Sequence, residues 1–280
     1  MVFVQPPIHL MAFVYREQYA PAPLEAIVRK VWVMDNSRSQ EPFSSKTVLP
    51  NGCFNLALVT GAGLDVRNRR GPLAMPEGLY FCGQARLGVD TLIRPTTSVT
   101  MVQLHPWAAS RLTTASLAAT ADAIVPLHTV LPALSQILWG YLGRPEEDVL
   151  TQLRAQQPGF TVAAEPALLR TACQRWQHTK GTLGVGTMAQ EMGCSTRLLE
   201  KHFRQGLGLT PKEFTTVLRV RGVVDALQQA AHPPSLAQLA LEYGFYDQAH
   251  FINVFRKMVQ LSPGKFNPAD YMLPLSGTGY

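Results

Sequence analysis

LGVGTMAQEMGCSTRLLEKHFRQGLGLTPKEF (residues 183–214) and SLAQLALEYGFYDQAHFINVFRKMVQLSPGKF (residues 235–266) are two versions of one pattern. Ala189 and Ala240, and Gly193 and Gly244, lie 51 positions apart; Leu199 and Phe251, Phe203 and Phe255, Leu209 and Leu261, Pro211 and Pro263, and Phe214 and Phe266 lie 52 apart. One residue is inserted after the glycine, and the register otherwise holds. Each copy has the layout of a helix-turn-helix. A short helix carries a small residue that admits a close neighbour, and a glycine supplies the left-handed turn that ends it. Ser195 in the first copy and Asp247 in the second are the residue types that cap the next helix by accepting an orphan amide. That helix is amphipathic: Phe251, Val254, Phe255 and Met258 recur at i, i+3, i+4 and i+7, as Leu199 and Phe203 do in the first copy.

The opposite faces carry the chemistry. Arg197, Glu200, Lys201 and Arg204 share one face of the first of these helices. Arginine and lysine pair with guanine edges, and a glutamate accepts from cytosine N4. The second helix presents Gln248, Ala249, His250 and Asn253, with Arg256 and Lys257 toward its end; amides suit adenine, alanine suits a thymine methyl, and cations suit phosphate. Between the copies, PKEFTTVLRVRGVVDALQQA (211–230) reads as one helix opened by Pro211, with Phe214, Leu218, Val224 and Leu227 as its apolar stripe. Such a helix would set the spacing of two readers that must enter successive major grooves, about 34 Å apart on straight B-DNA.

Over roughly 170–271 these residues resemble the DNA-binding domain of the AraC/XylS family of bacterial transcription regulators. Ala240, Gly244, Phe245, His250-Phe251, Phe255-Arg256-Lys257, Ser262-Pro263 and Phe266 match the family's signature in the second unit. Ala189, Ser195, Leu199, Lys201, Phe203, Pro211 and Phe214 match in the first, and Arg219 matches the arginine of the linker helix. The resemblance implies base-facing positions at Arg197, Glu200 and Lys201 in one groove and at Gln248, Ala249, His250, Ile252 and Asn253 in the next; Ser195, Arg204, Arg256 and Lys257 are the candidate phosphate contacts. Two features depart from the family pattern: Gly222 and Val223 stand where better helix formers are usual, and Glu200 is acidic where an amide or cation is common. Trp32, the PNG turn at 50–52 and VQLHPWAASRL (102–112) resemble the small-barrel domain that precedes this module in some relatives. In the family that domain commonly binds a small effector, dimerises, or both.

The first part of the chain reads as short strands at 28–34, 46–49, 54–60, 78–82, 87–93 and 98–104, separated by PNG and by GPLAMPEG from Gly71 as turns. Short strands without intervening helical periods argue for an antiparallel barrel or sandwich. Helical spacing follows at 107–118, 130–143, 146–156 and 166–180, with Pro145-Glu146-Glu147 as a first turn. The expected fold is α+β with two domains: a mainly antiparallel β barrel or sandwich followed by helices, then an all-α unit with two helix-turn-helix motifs on a long linker. The expected division is 1–160 (regulatory, sensor or dimerisation; β-rich to 105, helical from 107), 165–271 (DNA-binding) and a tail at 272–280, with the boundary near QQPGFTVAAEP (156–166). Trp32, Phe54, Tyr80, Phe81 and Trp107 are the candidate lining of an effector pocket, ordinary core being the alternative for each.

At 280 residues, a formal net charge of +6 and 46% hydrophobic content, the chain has the composition of a folded protein that tolerates acidic partners. Lys and Arg outnumber Asp and Glu by 12 to 8 from Glu165 onward, a mild bias. No apolar run suits a bilayer and the first residues lack a basic leader, so the expectation is a cytoplasmic chain without membrane contact. Cys53, Cys82, Cys173 and Cys194 are scattered and read as structural thiols, and the histidines form no ligand cluster, so no metal, no cofactor and no catalytic residue is expected. Double-stranded DNA is the expected partner. RNA polymerase, a small-molecule effector and a second copy of the chain are further candidates. The competing readings are an enzyme in the barrel, including a DNA-alkyl acceptor thiol, and an interaction module whose helix-turn-helix does not read DNA.

Overall fold

The computed structural model describes residues 13–43, 47–161, 167–229, 234–267 and 271–272. In the N-terminal half, strands β1 (Val14–Tyr19), β2 (Val28–Asn36), β3 (Thr47–Val48), β4 (Phe54–Thr60), β5 (Leu64–Asn68), β6 (Gly71–Met75), β7 (Gly78–Cys82), β8 (Asp90–Ile93) and β9 (Thr97–Leu104) come first. Then follow α1 (Ala109–Leu112), β10 (Ile124–Pro126), α2 (Pro132–Trp139) and α3 (Glu146–Phe160). The remainder is helical: α4 (Ala167–His178), α5 (Val185–Glu191), α6 (Thr196–Leu207), α7 (Pro211–Gln229), α8 (Leu236–Glu242) and α9 (Gln248–Val259), before a short β11 (Tyr271–Met272). This is the expected α+β order of a β-rich half and a helical half.

A six-stranded antiparallel sheet, β1-β2-β9-β4-β7-β10, faces a three-stranded sheet, β6-β5-β8. Strands β4 and β9 are apolar almost throughout because both of their faces are covered, and this erases the usual alternation. Phe54, Leu56 and Leu58 of β4, with Phe81 and Val102, pack beneath Leu134, Leu138, Val149 and Leu153 of α2 and α3. Ala57 and Val59 point the other way, toward Leu64, Val66, Met75 and Ile93 of the smaller sheet. β11 returns to pair in parallel with β3.

Several expectations are corrected. GPLAM is strand β6; the turn lies at Arg69-Arg70, and Pro72 is tolerated because β6 is an edge. The strand expected at 87–93 shortens to Asp90–Ile93, since the Gly88 amide is taken by the Met258 carbonyl at 2.8 Å. The helix expected over 107–118 shortens to Ala109–Leu112. Helix α3 runs through Pro158 to Phe160; a proline so near the end forfeits one bond of a ladder about to stop. Pro145 is the N-cap of α3 rather than its first residue. Strands β1, β5, β10 and β11 had no reading in sequence. Residues 162–166 of the expected boundary, Lys46, Ala230 and the tail from 273 lie outside the described residues.

Helix α7 separates two clusters. Its Phe214 and Leu218 join Trp176, Leu199 and Phe203, while Val217, Val220, Val223 and Val224 join Phe245, Phe251, Phe255 and Met258. Gly222, a poor helix former, is explained by this packing: a Cβ there would lie 2.4 Å from the Tyr243 ring, which is itself buried. Overpacking a fixed ring costs about 1–3 kcal/mol, more than the roughly 1 kcal/mol that alanine gains over glycine in a helix. Gly222→Ala is therefore expected to lower stability in urea unfolding by up to about 2 kcal/mol. Gly186→Ala, where nothing lies within 4 Å of the new methyl, should instead be neutral or stabilising.

Candidate nucleic-acid interface

In the first motif, Met188 and Ala189 of α5 are buried, and the chain reverses at Gly193 with φ of 62°. The Cys194 amide donates to the Ala189 carbonyl at 2.9 Å, closing the helix end. Ser195 then caps α6, its hydroxyl oxygen accepting the Leu198 amide at 3.2 Å. Leu199 and Phe203 face inward, and the Phe203 ring meets Trp176 edge-on at 5.2 Å between centroids. Arg197, Glu200, Lys201 and Arg204 are consequently turned outward, and all are exposed. Among the described residues none of the four belongs to an ion pair, so Glu200 leaves its cationic neighbours uncompensated.

The second motif repeats the construction. Ala240 is buried, Gly244 turns with φ of 67°, and the Phe245 amide donates to the Ala240 carbonyl at 2.9 Å. Asp247 Oδ1 accepts the His250 amide at 2.6 Å. Phe251 and Phe255 are buried and form a chain of tilted and edge-to-face contacts from Phe245 to Phe266. Gln248, Ala249, His250, Asn253, Arg256 and Lys257 are exposed, whereas Ile252 is half-buried against the core. His250 has a structural task as well: its Nδ1 accepts the Tyr246 amide at 3.3 Å and its ring lies edge-on to Phe245. That leaves Nε2 as its outward polar atom, carrying the proton as a donor.

Arg219 of α7 joins the two motifs. Its Nε donates to the Gly181 carbonyl at 2.7 Å, ahead of α5, and its Nη1 donates to the Gly244 carbonyl at 2.8 Å, in the second turn. One planar guanidinium thus fixes one motif against the other, through a rigid fork of donors that lysine lacks. Sequence reasoning passed over Tyr246, 92% exposed immediately before α9, and Leu198, 40% exposed on α6. Both interrupt the polar pattern that served as the guide, and only their exposure reveals them.

The five aromatic residues considered for a pocket do not come together. Trp32 lines a cavity of about 100 Å³ between the two sheets. Phe54 and Phe81 lie on the opposite face of the large sheet, under α2 and α3. Tyr80, on the interior strand β7, packs half-buried against the inter-sheet cluster that holds Trp32, its hydroxyl donating to the Pro76 carbonyl. Trp107 is stacked on His105 at 4.6 Å and belongs to the core of the first motif. Strand alternation is the reason, since neighbours in sequence such as Tyr80 and Phe81 face opposite layers. Three of the cysteines are poor nucleophiles: burial pushes the Cys82 thiol up to about 12, and the Cys53 and Cys173 thiols are raised as well. Among the described residues no group of three or more His, Cys, Asp or Glu side chains could hold a metal, and no helix is long and apolar enough to cross a membrane.

A helix-turn-helix domain model matches residues 188–268, and a model of a domain of unknown function (DUF6597) matches residues 17–126. An uncharacterized HTH-type transcriptional regulator of Haemophilus influenzae is 28% identical over 139 residues, 49% of this chain and 45% of that protein. The chain thus spans less than half the length of that relative. The solved structure of ToxT from Vibrio cholerae aligns with a TM-score of 0.47 at 9% identity, covering 92% of this chain and 99% of its own. The probable transcription factor PqrA of Proteus vulgaris is 32% identical over 98 residues, 35% of this chain and 75% of that protein. With two capped motifs in register and a relative matched over three quarters of its length, the chain belongs to the AraC-type family of helix-turn-helix transcriptional regulators.

Proposed function

We propose that this chain regulates transcription by binding double-stranded DNA in a sequence-specific manner, with α6 and α9 each entering a major groove. The observation that carries the reading is the pair of capped helices whose outward faces hold exposed polar and cationic side chains, locked together through Arg219. Arg197, Glu200, Lys201, Gln248, Ala249, His250 and Asn253 read base edges; Ser195, Arg204, Arg256 and Lys257 hold phosphate. Tyr246 adds an aromatic face beside the second reader. Residues 165–271 form the DNA-binding unit, and 1–160 form a unit that modulates it through a small effector, with RNA polymerase and a second copy of the chain as further partners.

Contacts between the halves support modulation. Arg86 bonds Asp122 through Nε at 2.7 Å and, through Nη1, Glu213 of α7 at 3.0 Å. Glu213 is also the acid of a capping box with Thr210, its Oε2 accepting the Thr210 amide at 2.8 Å while the Thr210 hydroxyl oxygen accepts the Glu213 amide. Burial alone would raise the Glu213 carboxyl; the Thr210 and Arg86 bonds outweigh it and hold the group below its ordinary value. The first half is therefore fastened to the first turn of the helix that joins the two readers.

Selection from random duplex DNA should yield one motif with two half-sites. On that DNA, Arg197→Ala or Asn253→Ala is expected to cost about 1–3 kcal/mol and to relax preference at one base, while Arg204→Ala or Lys257→Ala weakens all sequences alike and lowers the salt slope by about 1. Equal binding of selected and random duplexes, or of the parent and all four variants, would sink the reading. A separate expectation concerns spacing. Arg219→Ala, with its helical content checked by circular dichroism, should weaken the two-half-site duplex about tenfold or more and a single half-site by no more than about twofold, measured by fluorescence anisotropy.

A further inference from the structure

The cavity between the sheets is lined by core residues and by two buried polar groups that neither the core packing nor the DNA-reading surface uses. The large sheet supplies Trp32, Met34 and Met101; the smaller supplies Val66, Met75 and Thr91. Trp32 and Thr91 are 2% and 7% exposed, yet the indole Nε1 and the Thr91 hydroxyl have no hydrogen-bond partner among the described residues. Buried polar groups are seldom left so, because each forfeits the bond it would make in water. The indole can only donate, and the hydroxyl can donate too, so an occupant that satisfies both carries an acceptor oxygen.

The rest of the lining narrows the class. Of the described residues around the cavity only Arg69 and Asp122 are charged, and they face each other at 3.8 Å, with Asp122 also held by Arg86. The Asp122 carboxylate disfavours an anion, and Arg69 is half exposed beside it, so desolvation of a charged occupant is poorly offset. Three unbranched methionines adapt their shape and make favourable sulfur contacts with aromatic rings. About 100 Å³ is somewhat less than the roughly 150 Å³ of an engineered apolar cavity that admits benzene, so one ring is the limit even when the methionines give way. We propose that this cavity binds a small, uncharged, single-ring aromatic molecule whose one hydroxyl or carbonyl oxygen is taken by Trp32 and Thr91.

The inference rests on the modulatory role given to residues 1–160, and the cavity wall provides the route. Segments that line it also touch the helical half: Leu49 sits in the core of the second motif, and Gly52, next to lining residues Asn51 and Cys53, lies so close to Phe214 of α7 that a Cβ would be 2.9 Å from the ring. Gly88, between lining residues Leu87 and Val89, donates its amide to the Met258 carbonyl near the end of α9. An occupant that pushes this wall moves groups packed on both readers.

The test is calorimetric titration of the full chain with three probes of one shape: p-cresol, toluene and 4-methylbenzoate. The expected result is saturable binding of p-cresol at least tenfold tighter than of either other probe. In Trp32→Phe and in Thr91→Val that advantage should shrink to within about threefold, with toluene affinity kept as proof of an intact cavity. Toluene binding as tightly as p-cresol, 4-methylbenzoate binding best, no saturable binding below millimolar p-cresol, or an advantage that survives in Trp32→Phe would each overturn the assignment. Anisotropy on selected DNA with and without saturating p-cresol separates the two ideas: a bound ligand that leaves DNA affinity unchanged upholds the cavity and refutes the modulatory role.

Discussion

The whole helical half depends on α7 being buried on more than one side. A surface helix shows a single apolar stripe, whereas one enclosed by neighbours is apolar nearly all round. Along α7, Phe214 and Leu218 enter one core while Val217, Val220, Val223 and Val224 enter the other. The relative orientation of the two motifs is therefore a property of one helix, about 28 Å long at 1.5 Å per residue. Arg219 and Gly222 refine it from opposite directions, the first by bonding both turns and the second by leaving room for Tyr243.

The N-terminal half is an integral neighbour of this arrangement. Trp107 and Ala121 complete the first core and Leu49 completes the second. The Leu117 amide donates to the Gln205 carbonyl at 2.7 Å, near the end of α6, so the first recognition helix is anchored at its C-terminal end by the other half of the chain. Contacts of this kind, dispersed over apolar packing, a few backbone bonds and the partly exposed Arg86 bridge, are individually modest. Their distribution ties the N-terminal half to both motifs at once.

The helix-turn-helix construction was legible because it is local. Cap, turn and stripe are all read within one copy, and the repeat supplied an independent check. Ser195, Gly193, Asp247 and Gly244 perform the tasks their residue types suggest. The outward placement of the polar faces follows from the same periodicity, since burying Leu199 and Phe203 forces Arg197, Lys201 and Arg204 away from the core. His250 shows where the reading stopped short: its bond to the Tyr246 amide depends on the local turn and has no sequence signature.

The sheet half was legible only in part. Runs buried on both faces, such as 54–60 and 98–104, were found from apolar content alone, but strands β1 and β6, one polar and one opened by Gly-Pro, were not, because edge strands lack the apolar signal. Which aromatic side chain faces the cavity and which faces α2 and α3 was undecidable, since each layer is apolar and only pairing register assigns a side. By itself the sequence determined the two motifs, their caps and their exposed chemistry, all of which arise from contacts within a few turns of helix. Tertiary structure decided the cavity at Trp32 and Thr91, the Arg86 bridge and the reach of Arg219 across two turns, because these join residues whose proximity no periodicity encodes.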